Sequence, residues 1–142
     1  MKKQTIILDS ESRFKKRLLD STKDYSYKMI KSENKYCSVD FLCINKNNLK
    51  SLLIEHKLKN INAEYFDSLM IGRSKLDACK KDYNNTLIIW ECRNEIYYCF
   101  YSLELHASRL ETINNSDVFF ISKNLVSSGY DNLVESINDF LK

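Results

Sequence analysis

Two carboxylates and an ammonium stand at spacings that suit the binding of a hard divalent cation. Asp40 follows Cys37-Ser38-Val39 and leads into Phe41-Leu42, while Glu55-His56-Lys57 closes the apolar run Leu52-Leu53-Ile54. Both runs read as strands, and Asn45-Lys46-Asn47-Asn48 between them reads as a turn. If Asn47-Asn48 makes a two-residue hairpin turn, which Asn favours because it tolerates positive φ, the register follows by counting outward. Asp40 then falls opposite Glu55 on one face, with Cβ atoms roughly 4.5–5.5 Å apart. Lys57, two residues after Glu55, points to that face as well.

Like charges directly opposite on a sheet repel, so the pair needs compensation. Mg²⁺ or Mn²⁺ would provide it, with water or a substrate phosphate completing the shell. The ordinary alternative is a solvated sheet face with a cross-strand Glu–Lys pair, since Glu-x-Lys is a frequent tripeptide. The apolar cores of both strands argue for the cation.

The elements that must position these groups fit one domain. The chain has 142 residues, enough for one sizeable core, and no repeat, linker or composition break divides 1–142. Ile6-Ile7-Leu8 is too short for a signal peptide or a membrane span. Five cysteines without a Cys-x-x-Cys read as reduced, buried thiols of an intracellular protein, with no partner membrane. Neither histidine has a cysteine at zinc-ligand spacing. Gly72 and Gly129 are the only glycines, which excludes a P-loop nucleotide hydrolase. No Ser or Cys nucleophile has a convincing His and acid partner. The net charge is +3. Runs such as Lys15-Lys16-Arg17, Lys57-Leu58-Lys59, Arg73-Ser74-Lys75 and Lys80-Lys81 can face phosphate or simply water.

Asp9 or Ser10 can cap a first helix carrying Glu11, Phe14, Leu18 and Ser21 on one stripe. Tyr27 to Ile30 reads as a strand that turns at Glu33-Asn34 into the Asp40 strand, and the Glu55 strand follows. A second helix is predicted over about 72–83, with Leu76, Cys79 and Tyr83 inward. Thr86 to Cys92 and Glu95 to Tyr101 are the clearest strands, joined near Arg93-Asn94. A last strand, Val118 to Ile121, precedes a terminal helix with Leu133, Val134, Ile137, Phe140 and Leu141 on its apolar face.

This order is α/β (α+β): helix, three-strand meander, helix and two strands, plus a C-terminal strand and helix. With Asp40 on the second strand and Glu55-His56-Lys57 on the third, it resembles the PD-(D/E)xK nuclease superfamily and its restriction-endonuclease-like core. The small phage, viral and resolvase-type members are the most similar. The resemblance covers a core of about residues 10–103, and about 104–142 form an addition that resembles nothing in the family. Asp40 matches the motif Asp, and Glu55 and Lys57 match the (D/E)xK pair. Glu11 sits where many members carry an acid on the first helix. Tyr65, Met70-Ile71 and Lys75 resemble a pattern of some phage-type members. The proline before the motif Asp is Val39 here.

The resemblance implies hydrolysis of DNA phosphodiesters, with RNA not excluded, in replication, recombination or repair. Asp40, Glu55 and the His56 backbone carbonyl would hold Mg²⁺ or Mn²⁺, with Glu11 as a further ligand. Lys57 would orient water or neutralise developing charge, and Lys75 would contact a phosphate. A solvent-exposed first-turn acid is the plain alternative for Glu11, and a surface lysine for Lys75. Small resolvase-type enzymes suggest a homodimer. The competing function is a catalytically inactive nuclease-fold module that binds nucleic acid or a partner protein. His56 alternates away from Glu55 and Lys57 and reads as a packed core histidine, while His106 reads as isolated in a loop. Trp90 reads as core, and Tyr97, Tyr98, Phe100 and Tyr101 as core in preference to base stacking.

Overall fold

The computed structural model describes residues 10–22, 25–31, 40–80 and 85–142. The predicted turn at Glu33-Asn34, Val39, Cys37 and the inward Tyr83 lie outside these residues.

Helix α1 (Ser10–Ser21) is followed by β1 (Tyr27–Lys31), β2 (Phe41–Asn45) and β3 (Ser51–Leu58), the expected antiparallel meander. Next come β4 (Ser68–Gly72), α2 (Arg73–Cys79), β5 (Thr86–Glu91) and β6 (Ile96–Phe100). The chain ends with β7 (Arg109–Ile113), β8 (Ser116–Ser122), the two-residue β9 (Ser127–Ser128) and α3 (Tyr130–Leu141). One six-stranded sheet has the order β1-β2-β3-β5-β6-β9, and a three-stranded sheet has the order β4-β8-β7. Three strands thus add to the predicted set: β4, β7 and β9. Helix α2 begins at Arg73, close to the predicted start, and ends at Cys79; part of the remainder of the predicted 72–83 span lies outside the described residues.

The large sheet is covered on both sides, so its central strands read as continuous apolar runs. On one face Phe14 and Leu18 of α1 and Leu133, Ile137 and Leu141 of α3 pack with Leu52, Ile54, Leu87 and Ile89. On the other, Leu76 and Cys79 of α2 and Leu69, Ile71, Phe119 and Ile121 of the small sheet pack with Ile88 and Trp90. Alternation along β5 therefore feeds two cores from one strand. Trp90 is core as expected, its indole N–H donating to the Met70 carbonyl at 2.8 Å. Tyr98 and Tyr101 are buried, whereas Phe100 is exposed and stacks on Phe140. Cys43, Cys79 and Cys92 are buried, and burial pushes Cys43 up to about 12, which leaves it inert. No helix among the described residues is long and apolar enough to cross a membrane.

β3 and β5 run parallel, Glu55 beside Ile88 and Lys57 beside Trp90. A parallel pair requires a long crossover; here the crossover contains β4 and α2, and it carries Lys75 back over the sheet.

The β2–β3 register is the expected one, with Cys43 facing Leu52 and Phe41 facing Ile54. The turn differs from the expected Asn47-Asn48 pair. Asn45 N–H donates to the Lys50 carbonyl at 2.9 Å, and Leu49 N–H returns to the Asn45 carbonyl at 2.8 Å, closing a four-residue loop. That loop has the same centre as the two-residue turn, so counting outward gives the same pairs. Asn45 and Asn48 accept from the backbone of Asn47 and Lys50, and both amides donate to the Leu141 carbonyl at the open end of α3. Side chains thereby satisfy a helix terminus and seat α3 on the hairpin.

Positive φ falls on Leu49, at 62°, and on none of the turn asparagines. A left-handed non-glycine residue costs about 1 kcal/mol, and Leu49 is 77% exposed, so its side chain offsets little of that. Leu49→Gly is expected to stabilise the protein by about 0.5–1 kcal/mol, read as a higher urea midpoint with an unchanged m value.

Candidate active site

β3 is hydrogen-bonded on both sides, to β2 and to β5. Its inward alternation sends Leu52, Ile54 and His56 toward α1 and Glu55 and Lys57 toward α2. Glu55 is only 1% exposed. Its Oε1 lies 3.3 Å from Lys57 Nζ and 3.8 Å from Lys75 Nζ. Both lysines are partly open to solvent, so the constellation has a buried anionic floor and a cationic rim. Lys75, for which a plain surface position was the alternative, is brought to the site by the crossover.

Asp40 sits in the bend just before β2, one residue beyond the last regular pair. Its N–H donates to the Ile54 carbonyl at 3.0 Å, and its Oδ2 accepts from the His56 N–H at 2.7 Å. The regular β2–β3 ladder ends at Phe41 and Ile54 and does not include the expected Asp40–Glu55 pair. Asp40 leaves the ladder and is held by the backbone of the residue after Glu55.

Burial raises the pKa of Glu55 above the ordinary carboxylate value, and the nearby Asp40 raises it further. Lys57 and Lys75 act in the opposite direction. Glu55 Oε2 is buried and has no hydrogen-bond partner among the described residues. A hard cation would satisfy that orphaned oxygen and relieve the repulsion from Asp40. Among the described residues no group of three or more His, Cys, Asp and Glu side chains is placed to hold a metal. The donors present are two carboxylates, and a cation that takes most of its shell from backbone, water or phosphate fits them: Mg²⁺ or Mn²⁺ rather than zinc. Glu11 belongs to the backbone of α1, and its side chain lies outside the described residues.

His56 points to the opposite face, packed in the core as expected, although its buried Nδ1 has no hydrogen-bond partner among the described residues. Its ring stacks on Phe14 at 4.3 Å with an interplanar angle of 9°, and its Nε2 lies 2.8 Å from Glu91 Oε1. The Glu91 contact was missed from sequence, because it depends on the parallel β3–β5 register. His106, expected to be isolated, instead pairs with the Tyr101 hydroxyl and lies 3.7 Å from Asp77 on α2.

No protein-family model matches the sequence, and no curated protein matches it. Among solved structures the chain is similar to Hjc of Archaeoglobus fulgidus, a Holliday junction resolvase from an archaeal hyperthermophile. The TM-score is 0.51 at 14% identity, over 90% of this chain and 98% of that one. At that identity the likeness is one of fold, and the mixed α/β class is the one expected from the sequence.

The raised pKa of Glu55 has a consequence for stability without metal. The folded state holds this proton more tightly than the unfolded chain does. Between the ordinary carboxylate pKa and the raised folded value, stability contributed by the protonated form is lost as pH rises. Glu55→Gln should flatten that decline and be more stable than wild type at neutral pH, measured by urea unfolding across pH in EDTA. A steeper decline in the variant would show that the lysines over-compensate the carboxylate.

Proposed function

We propose that this chain is a Mg²⁺- or Mn²⁺-dependent DNA nuclease acting in recombination. The observation that carries the reading is the buried Glu55 carboxylate, with one oxygen unpartnered among the described residues, next to Asp40 and rimmed by Lys57 and Lys75. A purely structural ion pair would satisfy both oxygens, because a buried charge left open costs several kcal/mol. The resolvase-type fold supports the same reading.

Asp40 and Glu55 would hold the cation, with the His56 backbone carbonyl and Glu11 as further ligands. When bound, the cation neutralises phosphate charge and acidifies a water. Lys57 reaches the same carboxylate from its own strand, so its ammonium is placed to stabilise charge that develops on the attacked phosphate. Lys75, held by a different element, would fix a phosphate oxygen from the opposite rim. His56 N–H keeps the Asp40 carboxylate in place. The proposed substrate is DNA, branched DNA first, and a homodimer would let two strands be cut together.

The test is a panel of linear, flapped and branched DNA and of RNA, each with Mg²⁺ and Mn²⁺. Wild type should cut at least one DNA substrate. Lys57→Ala should lose about 10²–10³-fold in turnover while keeping most DNA affinity. Asp40→Asn should lose turnover and also the rise in melting temperature that the cation produces in wild type by binding only the folded state. If wild type cuts nothing, the chain is instead an inactive nuclease-fold module; if Lys57→Ala cuts as well as wild type, Lys57 has no part in the cleavage.

A further inference from the structure

On the α1 side of the sheet, away from Glu55, the carboxyl ends of the parallel strands β3 and β5 border a groove of about 320 Å³. Four cations line it: Arg13 and Arg17 from α1, Lys59 after β3 and Arg93 after β5. One carboxylate, Glu91, also lines it, and that carboxylate is already engaged. Its Oε1 takes His56 Nε2 at 2.8 Å and its Oε2 lies 3.9 Å from Arg17. Arg17 is in addition laid over the Tyr130 ring, 3.7 Å from its centroid. Arg13, Lys59 and Arg93 have no carboxylate partner among the described residues, and Arg93 donates only weakly to the Asn60 side chain, at 3.4 Å. The groove thus presents three uncompensated cations around a floor whose negative charge is spent.

Its location ties it to the candidate active site. Lys59 N–H continues the parallel ladder by donating to the Glu91 carbonyl at 2.7 Å. Lys59 also lines a narrow crevice on the Trp90 side of the sheet. It therefore stands on the rim where the two faces meet, two residues and roughly 7 Å of strand from Lys57. A polyanion crossing the carboxyl ends of β3 and β5 would meet Lys75 and Lys57 on one side, Lys59 on the rim, and Arg13 and Arg93 beyond it. Arginine suits this task because its planar fork pairs with phosphate oxygens in two places.

We infer that the groove between α1 and the ends of β3 and β5 binds phosphodiester groups of the nucleic-acid strand that flank the one at Glu55. The inference rests on the nuclease reading for the identity of the polyanion, but its test does not require cleavage. DNA binding is measured in EDTA by fluorescence anisotropy, as log K against log salt, for wild type and R13A/K59A/R93A. Each phosphate contact contributes about 0.9 to the slope on duplex DNA. The triple variant should be shallower by about 2–3, bind at least about tenfold more weakly at 0.1 M salt, and melt at the wild-type temperature. The single variants R13A and R93A should each remove about 0.9, which keeps the question open to measurement even if the triple variant folds poorly. R13K/R93K should keep the wild-type slope.

Unchanged slope and affinity in the alanine variants would overturn the inference, as would wild type that binds no DNA. Competition by inorganic phosphate or a mononucleotide at the same phosphate concentration as DNA would also overturn it, by showing a site for isolated phosphates instead of a strand. A protein that binds through the groove but cuts nothing would refute the nuclease reading and leave the groove standing. A triple variant that binds and cuts like wild type would refute the groove alone.

Discussion

A carboxylate with 1% exposure on a strand paired on both edges is the constraint around which this fold is arranged. Water cannot solvate Glu55, so protein groups must. Strand alternation supplies Lys57 without further structure, since it lies two residues along. Lys75 is different: it reaches Glu55 only because β3 and β5 are parallel and the obligatory crossover passes over that face. Asp40 adds negative charge where there is already too much, and its own oxygen is anchored by the His56 N–H. Two lysines against two carboxylates balance the formal charge, yet Glu55 Oε2 stays without a partner among the described residues. Evolution tolerates such a local cost at sites where function requires it, with stability supplied elsewhere.

Here that stability comes from the two cores on either side of the large sheet. β5 contributes Leu87 and Ile89 to one and Ile88 and Trp90 to the other, so it cannot shift without disturbing both. β3 is clamped between β5 and β2, and the hairpin that ends β2 is fastened to α3 by Asn45 and Asn48. Glu55 and Lys57 therefore stand on a strand paired on both edges, with Asp40 in the bend before β2 and Lys75 on α2. That suits a task in which small displacements of charged groups matter.

How much of this was legible in the sequence depended on how far apart in the chain the partners lie. The β2–β3 register was readable because a hairpin fixes pairing by its centre, and even the wrong turn type left the pairs intact. Helix faces were readable for the same local reason: Phe14, Leu18, Leu133, Ile137 and Leu141 all turned inward. The parallel pairing of β3 with β5 was not readable, since no turn sets its register, and with it went the His56–Glu91 contact. β4 was hidden for a related reason. Ser68–Gly72 finds its partner in β8, roughly fifty residues on by strand order, and its five residues carry too little periodicity to stand apart from the helix that follows. Lys75 was ambiguous from sequence because a lysine on a short helix is ordinarily solvated, and only the crossover geometry decides where it points.

His56 draws these strands of argument together. Its backbone N–H faces the site and holds Asp40; its ring faces the other way, stacked on Phe14 and bonded to Glu91. A residue at this position must pack against α1 and also fix the peptide between Glu55 and Lys57. Glu91 is shared with Arg17, so the anchor of the His56 ring is also the floor of the arginine-lined groove. The two faces of the sheet are thus joined through one side chain and one peptide plane. Removing the Glu91 carboxylate would leave a buried imidazole without its partner and free Arg17 at once. The central residue of Glu55-His56-Lys57 is in this fold a mechanical link between the site and the groove, and the motif is best understood as three positions with three separate physical duties.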